Sequence, residues 1–208
     1  WQDVLESVAK IQAHGIEVTG GFIIGFDSDP PEIFDRQIEF VQQLAIPTAM
    51  VGMLMALPHT RLYDRLEREG RMLHTSTGNN THNSALNFEP VMDRQKLEDG
   101  YYRVLETIYS PRIYFERCLT VLGRYPKAEK AKQRMKRIRW REIVGLFNSV
   151  FRQLFSSYGF SYLSYMVRAL VRRPDLIVSV VTMSIQGHHY FTITRRVLRA
   201  RKKEARAI

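Results

Sequence analysis

The segment Gly21-x-Ile23-x-Gly25 places two glycines around one isoleucine, and Asp27 follows two residues later. Alternate residues of a β-strand project from the same face, so this face carries no bulky side chain beside Ile23. A flat group such as an adenine ring can then lie against the backbone, with Asp27 as a candidate acceptor for a ribose hydroxyl. Glycines in a buried strand also mark a bulge or tight helix packing, and the segment alone leaves both interpretations open.

A second group of candidates lies in the segment Leu57-Pro58-His59. This segment follows an apolar run, and in α/β barrels ligands bind beyond the carboxyl ends of the strands. A functional role for His59 and a solvated surface position are both open. His188 and His189 are adjacent on a predicted helix and point about 100° apart, which makes them poor partners for one metal ion. The sequence therefore predicts no metal site.

Helices and strands alternate in the first third of the chain. Apolar residues at helical spacing predict helices over residues 3–14, 30–44 and 61–69. Nearly continuous apolar runs predict buried strands over residues 16–26 and 49–57. This order, with its short loops, is typical of parallel β/α units.

Capping residues indicate where several of these helices begin. Asp29 can cap the second helix, with Pro30 in its first turn, and Thr60 and Asp93 can cap two later helices. Two parallel strands alone leave the sheet incomplete. We therefore expect further strands upstream of this sequence and an exposed apolar sheet edge within residues 1–73.

The chain divides into predicted regions of opposite charge. Residues 1–73 are predicted as α/β units, 74–92 as a polar linker loop and 93–208 as a helical domain. Residues 1–100 have a net charge of −7, and residues 101–208 have a net charge of +17. Such asymmetry indicates that the two regions face different surroundings.

The basic runs at residues 127–141 and 195–203 allow three interpretations. The simplest is a solvated helix face, whereas nucleic-acid binding predicts a steep salt dependence and membrane binding predicts apolar residues opposite the charge. Apolar residues of this kind lie nearby: Ile138, Trp140, Val144, Leu146, Phe147, Val150 and Phe151. We favour peripheral attachment to an anionic membrane over nucleic-acid binding, with the protein in the cytoplasm at the membrane surface.

Taken together, two segments resemble radical S-adenosylmethionine enzymes. GGFIIGFDSDPPEIFDRQIEFVQQLAI and MVGMLMALPHTRLYDRLEREGRM look like the fifth and sixth strand units of that superfamily, and more narrowly of its cobalamin-binding members, which include hopanoid-modifying methylases. The later segment MDRQKLEDGYYRVLETIYSPRIYFERC resembles the helical domain that follows the barrel in this subgroup. The resemblance implies an α/β fragment of a partial (β/α)6 TIM-like barrel, followed by an all-α C-terminal domain.

The resemblance also implies roles for individual residues. In the family, the fifth-strand motif lies against the adenosine part of S-adenosylmethionine, and sixth-strand residues close over the adenine. Carried onto this sequence, the implied cofactor-binding residues are Gly21, Ile23, Gly25, Asp27, Leu57 and Pro58. The family usually has glycine in the middle of the second element, where this chain has His59.

The resemblance implies an intact enzyme with three cofactors: S-adenosylmethionine, a 4Fe-4S iron–sulfur cluster and cobalamin. Its expected reaction is methyl transfer, or related C–H activation, on a lipid-like or other small-molecule substrate. This sequence has no C-x3-C-x2-C triplet, and Cys118 alone cannot hold a cluster, so we expect the chain by itself to be inactive. The alternative is a non-catalytic basic helical module that binds nucleic acid or a protein partner.

Overall fold

The computed structural model describes residues 2–75, 86–127 and 150–204. Helices and strands alternate at first and helices follow, in the order α1 (Gln2–Ala13), β1 (Thr19–Ile24), α2 (Ile33–Leu44), β2 (Thr48–Met53), α3 (Arg61–Arg68), α4 (Arg94–Ile108), α5 (Pro111–Arg124), α6 (Gly159–Arg172) and α7 (Ile177–Glu204). Residues 150–154 are also helical, and a 3-10 turn, Pro174–Leu176, precedes α7.

Much of the predicted membrane-facing region lies outside the described residues. This holds for most of the basic run at 127–141 and for Ile138, Trp140, Val144, Leu146 and Phe147. The basic run at 195–203 belongs to α7. Among the described helices, none combines the length and the hydrophobicity that crossing a membrane requires.

β1 and β2 form a parallel two-stranded sheet within the described part of the chain. Its two faces differ because successive side chains of a strand project in opposite directions. One face is buried, as at Ile24, which has no exposed surface. The other face carries Gly21, Ile23, Met50 and Gly52, and Ile23 is 52% and Met50 59% exposed. We call these four residues the open sheet face.

The strand region and the helical region share one hydrophobic core. Phe34 of α2 packs against Gly100 of α4, where a Cβ atom would lie 2.2 Å from Phe34 Cε1, so only glycine leaves room for the ring. The core continues among α4, α5, α6 and α7 through buried aromatic side chains: Tyr101, Tyr102, Tyr109, Tyr114, Phe115, Tyr162, Tyr165 and Phe191. The division of the chain near residues 73 and 93 stays a prediction.

The predicted caps of α3 and α4 are confirmed. The Thr60 side chain accepts a hydrogen bond from the backbone N–H of Tyr63 at 3.2 Å. Asp93 Oδ1 accepts one from the backbone N–H of Lys96 at 2.8 Å. Each side chain satisfies one of the N–H groups that a helix leaves unpaired in its first turn.

The predicted start of α2 is wrong. Asp29 Oδ2 accepts hydrogen bonds from the backbone N–H groups of Gly25 and Phe26, at 2.7 and 3.0 Å. Because this carboxylate closes the loop after β1, it does not cap the helix, and Pro30 does not lie in the first turn. The helix begins at Ile33 instead, without a side-chain cap.

The two outer edges of the sheet differ. On the β2 edge, the Tyr109 hydroxyl donates to Ala49 O at 2.6 Å and accepts from Ala49 N at 3.2 Å. The Tyr190 hydroxyl donates to Thr48 Oγ1 at 3.1 Å. No described residue pairs as a strand with the outer edge of β1, in agreement with the exposed edge predicted within residues 1–73. The partial (β/α)6 barrel itself stays a prediction.

Candidate functional site

The open sheet face is a flat apolar shelf. Gly21 lies opposite Met50, and Gly52 lies opposite Ile23, so each of the two pairs combines one glycine with one apolar side chain. A Cβ atom added to Gly21 or Gly52 would meet nothing within 4 Å, so both positions border open space. A flat ring can therefore reach the backbone at two diagonal positions, with Ile23 and Met50 beside it.

A cavity of about 550 Å³ extends from this shelf along β2 to α4 and α7. Volumes of this size are typical of sites for small organic ligands. The walls are mainly apolar and include Met53, Leu105, Ile193 and Val197, while His189 and Thr194 add polar groups. The shape and lining suit a ligand with a large apolar surface.

Gly25 belongs to the turn after β1 and not to the shelf. Its φ of +100° is rare for residues with a side chain, and a Cβ atom there would lie 3.1 Å from Leu97 Cδ2. The expectation that Gly21, Ile23 and Gly25 share one face is therefore wrong for Gly25. The physical reason is that β1 ends one residue earlier, and the missing side chain at Gly25 faces α4.

Two arginines hold Asp27. Arg71 donates to both carboxylate oxygens, with Nη1–Oδ2 and Nη2–Oδ1 distances of 3.0 and 2.8 Å, and Arg65 Nη2 donates to Oδ2 at 2.8 Å. The Arg71 hydrogen bond lowers the pKa of Asp27 below its ordinary value and, conversely, raises the pKa of Arg71. The ionised carboxylate thus ties the loop after β1 to α3 and to the segment after it. About four acceptor positions exist on a carboxylate, so one on Oδ1 remains for a ligand.

The turn after β2 has the backbone conformation that glycine adopts most easily. His59 has a φ of +64°, in the left-handed region. Thr60 Oγ1 donates to Leu57 O at 2.7 Å, which closes the turn around Pro58 and His59. His59 therefore takes the conformation of the glycine that the resemblance leads us to expect. Leu57 is 42% exposed beside it.

A buried asparagine fixes the segment between β2 and this turn. Asn87 Oδ1 accepts from Ala56 N at 3.0 Å, and Asn87 Nδ2 donates to Ala56 O at 2.7 Å. The side chain thus pairs with the backbone as a neighbouring strand would. Met72 and Phe88 form an antiparallel bridge close by, so the described ends of the predicted linker loop are held against the end of β2.

Residues 60–203 match a protein family described as a domain of unknown function, DUF4070. The chain belongs to the DUF4070 family. The match begins at the cap of α3 and extends into the last turns of α7, so β1 and β2 lie before the matched residues.

Two curated relatives of this DUF4070 chain have names that refer to methyl transfer. The chain is 31% identical over 189 residues to "Uncharacterized methyltransferase sll1242" from Synechocystis sp. This match covers 89% of this chain and 34% of that protein. The chain is also 46% identical over 71 residues to "Hopanoid C-2 methylase" from Rhodopseudomonas palustris. This match covers 34% of this chain and 14% of that protein. The matches thus span about a third or less of each relative's length. No solved structure matches the chain.

The structure of this DUF4070 chain adds site residues that the sequence analysis missed. Met50 and Gly52 complete the shelf, and Gly52 inside a predicted strand was a signal of the same kind as Gly21. Arg71 and Asn87 had no local signal, because they reach Asp27 and Ala56 across 44 and 31 residues of sequence.

Cys118 and the paired histidines lie outside the shelf. Cys118 is completely buried, and burial raises the pKa of its thiol to about 12. His188 Nδ1 hydrogen-bonds the Tyr158 hydroxyl, and burial lowers the pKa of this histidine. His189 lines the cavity. Within the described residues, no group of three or more His, Cys, Asp or Glu side chains is placed to hold a metal ion.

Proposed function

We propose that this chain is the C-terminal part of a radical S-adenosylmethionine methylase of the cobalamin-binding type. In this proposal, β1 and β2 are the last two strands of a partial (β/α)6 barrel, and α4 to α7 form the helical domain that follows it. The names of the two relatives support the methyl-transfer reaction. The outer edge of β1, which no described strand occupies, offers a place for the preceding barrel strand.

The open sheet face carries the adenosine end of S-adenosylmethionine in this proposal. The supporting observation is the open space above Gly21 and Gly52, which lets a flat purine ring approach the backbone. Ile23 is 52% exposed on the same face and offers the ring an apolar contact. The shelf residues bind and orient the cofactor, and their apolar surface excludes water from it.

Residues beyond the strand ends complete the proposed pocket. Leu57 and Pro58 lie in the turn after β2 and close over the adenine, and the remaining acceptor position of Asp27 takes a ribose hydroxyl. Arg71 and Arg65 keep that carboxylate ionised and fixed in place. Gly25 contributes through the turn that positions Asp27 and not through the shelf.

The described residues do not fit an iron–sulfur cluster, and in this proposal none of them holds cobalamin. A cluster takes several thiolate ligands, whereas this chain has the single buried Cys118. In the proposal, both groups are held by other parts of a longer protein. When bound, S-adenosylmethionine would supply the methyl group for the transfer, and the residues of this chain would bind and orient its adenosine.

The proposal extends to a lipid-like or other small-molecule substrate and to a cytoplasmic protein at the membrane surface. The apolar wall that Leu105, Ile193 and Val197 form along the cavity supports an apolar substrate. The name of the Rhodopseudomonas palustris relative refers to a hopanoid, which agrees with such a substrate.

Binding of S-adenosylmethionine to the full-length protein tests this function. Gly21→Val and Gly52→Val each place a branched side chain on the shelf, and we expect each to weaken binding about tenfold or more in isothermal titration calorimetry. Gly123→Val is the matched control, because Gly123 also borders open space but lies on α5. Equal affinities for the wild-type protein and both shelf variants would contradict the proposal.

A further inference from the structure

One face of α6 is apolar and exposed. Phe160 is 87% and Val171 78% exposed, and Leu163 and Val167 lie between them at helical spacing. The opposite face is apolar as well, and its Tyr165 is buried where α6 packs against α5 and α7. A helix with two apolar faces normally has an apolar neighbour on each of them, and the described residues cover only one of these two faces of α6.

The exposed apolar face continues into the segment before α6. Phe151 is 67% and Phe155 72% exposed, and their ring centroids are 4.6 Å apart. The two segments adjoin closely, since a Cβ atom on Gly159 would lie 2.0 Å from Leu154 O. We define the apolar surface as Phe151, Phe155, Phe160, Leu163, Val167 and Val171. Contiguous exposed patches of this kind mark interaction sites.

The surroundings of the apolar surface are cationic. Residues 150–173 contain four arginines and no acidic residue. Arg152 and Arg172 have exposed side chains at the two ends of this range. Arg168 and Arg173 differ from them, because they form ion pairs with Glu116 of α5 and with Asp175.

A basic groove on α7 adjoins the apolar surface. Four exposed basic residues line it: Arg195, Arg196, Arg199 and Lys203. Arg195 Nη1 donates to Ser157 Oγ at 3.3 Å, and Ser157 lies in the middle of the segment that carries the apolar surface. The basic groove and the apolar surface therefore lie next to each other in the structure.

We propose that the apolar surface and the basic groove dock the protein on an anionic lipid bilayer. The phenylalanine and valine side chains enter the boundary between headgroups and acyl chains, and the guanidinium groups of the groove bind lipid phosphates. A protein partner normally requires charges of both signs around an apolar centre, whereas the acidic residues next to this surface, Glu116 and Asp175, are each paired with an arginine of the same region, Arg168 and Arg173. Apolar insertion and cationic attraction together give the two signals that stable attachment needs.

Sedimentation of the full-length protein with vesicles tests this docking. We expect the wild-type protein to bind vesicles of phosphatidylcholine and phosphatidylglycerol, and to bind pure phosphatidylcholine vesicles weakly. The double substitution Phe160→Ser with Val171→Ser is expected to lower binding to the anionic vesicles about tenfold or more. Val91→Ser is the matched control, because Val91 is 67% exposed outside the apolar surface, and we expect it to leave binding unchanged.

A charge variant separates the two contributions. Arg196→Gln with Arg199→Gln is expected to lower binding to anionic vesicles several-fold and to leave the weak phosphatidylcholine binding unchanged. Wild-type binding by the Phe160 and Val171 variant would overturn the proposal. So would a change in its oligomeric state on size-exclusion chromatography with unchanged vesicle binding, because the surface would then join two copies of the chain. Measuring S-adenosylmethionine binding by the same variants distinguishes a failure of the docking proposal from a failure of the proposed function.

Discussion

The two outer edges of the sheet are built for different neighbours. The β2 edge is closed, because the Tyr109 hydroxyl both donates to and accepts from the backbone of Ala49, as a neighbouring strand would. The β1 edge has no strand partner among the described residues. Among the described residues, the β1 edge is therefore the one at which a further strand can extend the sheet, which agrees with the proposed barrel.

The two faces of the sheet repeat this contrast. On the buried face, Ile24 packs in the core that α2 and α4 complete, and Leu97 approaches the turn at Gly25. On the open face, a Cβ atom on Gly21 would meet nothing within 4 Å, and Ile23 is 52% exposed. The residues that this chain buries explain its fold, and those that it leaves open are the ones that we propose to bind a cofactor.

The contrast between the faces predicts very different costs of truncation. Leu97→Ala removes a completely buried side chain and should lower the free energy of unfolding by about 2–5 kcal/mol. Ile23→Ala removes a side chain that is 52% exposed and should cost about 0.5 kcal/mol or less. Urea denaturation of both variants measures the difference. Similar costs would mean that the open face is part of the core.

The closed β2 edge predicts a loss of stability at alkaline pH. Burial raises the pKa of Tyr109 from 10.0 to about 12. Between these values the unfolded chain releases the phenolic proton while the folded chain keeps it, so the free energy of unfolding falls as pH rises, by roughly 2–3 kcal/mol for this residue. Below this range the phenol is neutral in both states and the shift has no effect.

Tyr109→Phe supplies the control for this titration. The variant lacks the ionisable hydroxyl, so its stability should fall less than that of the wild-type protein as pH rises through the window from about 10 to about 12. Urea denaturation at each pH measures the difference in free energy of unfolding between the two proteins, and this difference should become smaller as pH rises. A constant difference would show that Tyr109 does not hold its proton at the β2 edge.

The smallest expected effect is at His59, in the turn after β2. His59→Gly relieves a left-handed conformation with a φ of +64°, and the greater freedom of glycine in the unfolded chain offsets part of the gain. We expect stabilisation of up to about 1 kcal/mol in thermal or urea denaturation. Leu57→Gly, at a neighbouring position without a positive φ, should destabilise the protein. Destabilisation by His59→Gly would indicate that the imidazole makes a contact of its own.

Local features of the structure could be predicted from the sequence because neighbouring residues determine them. Thr60 and Asp93 cap helices through bonds to residues three positions later, and the apolar runs mark both strands. The predicted cap at Asp29 was wrong because its carboxylate can reach either the following helix or the preceding turn. The sequence pattern does not distinguish these two uses.

Long-range contacts of the candidate site could not be predicted in this way. Arg71 reaches Asp27 across 44 residues, and Tyr109 reaches Ala49 across 60. Such pairs depend on how the helices pack and not on spacing along the chain. The position of Gly25 could not be predicted for the same reason. It lies in an apolar run that predicts a strand, but in the structure the chain turns there and packs against Leu97.

Hydrogen exchange of the full-length protein, measured by mass spectrometry with and without S-adenosylmethionine, tests the central claim most directly. We predict that the bound cofactor slows amide exchange in residues 19–27 and 48–60, which contain the open sheet face and the turn after β2, and leaves residues 159–172 of α6 unchanged. Cofactor that binds by calorimetry but slows exchange in neither of the first two segments would contradict it.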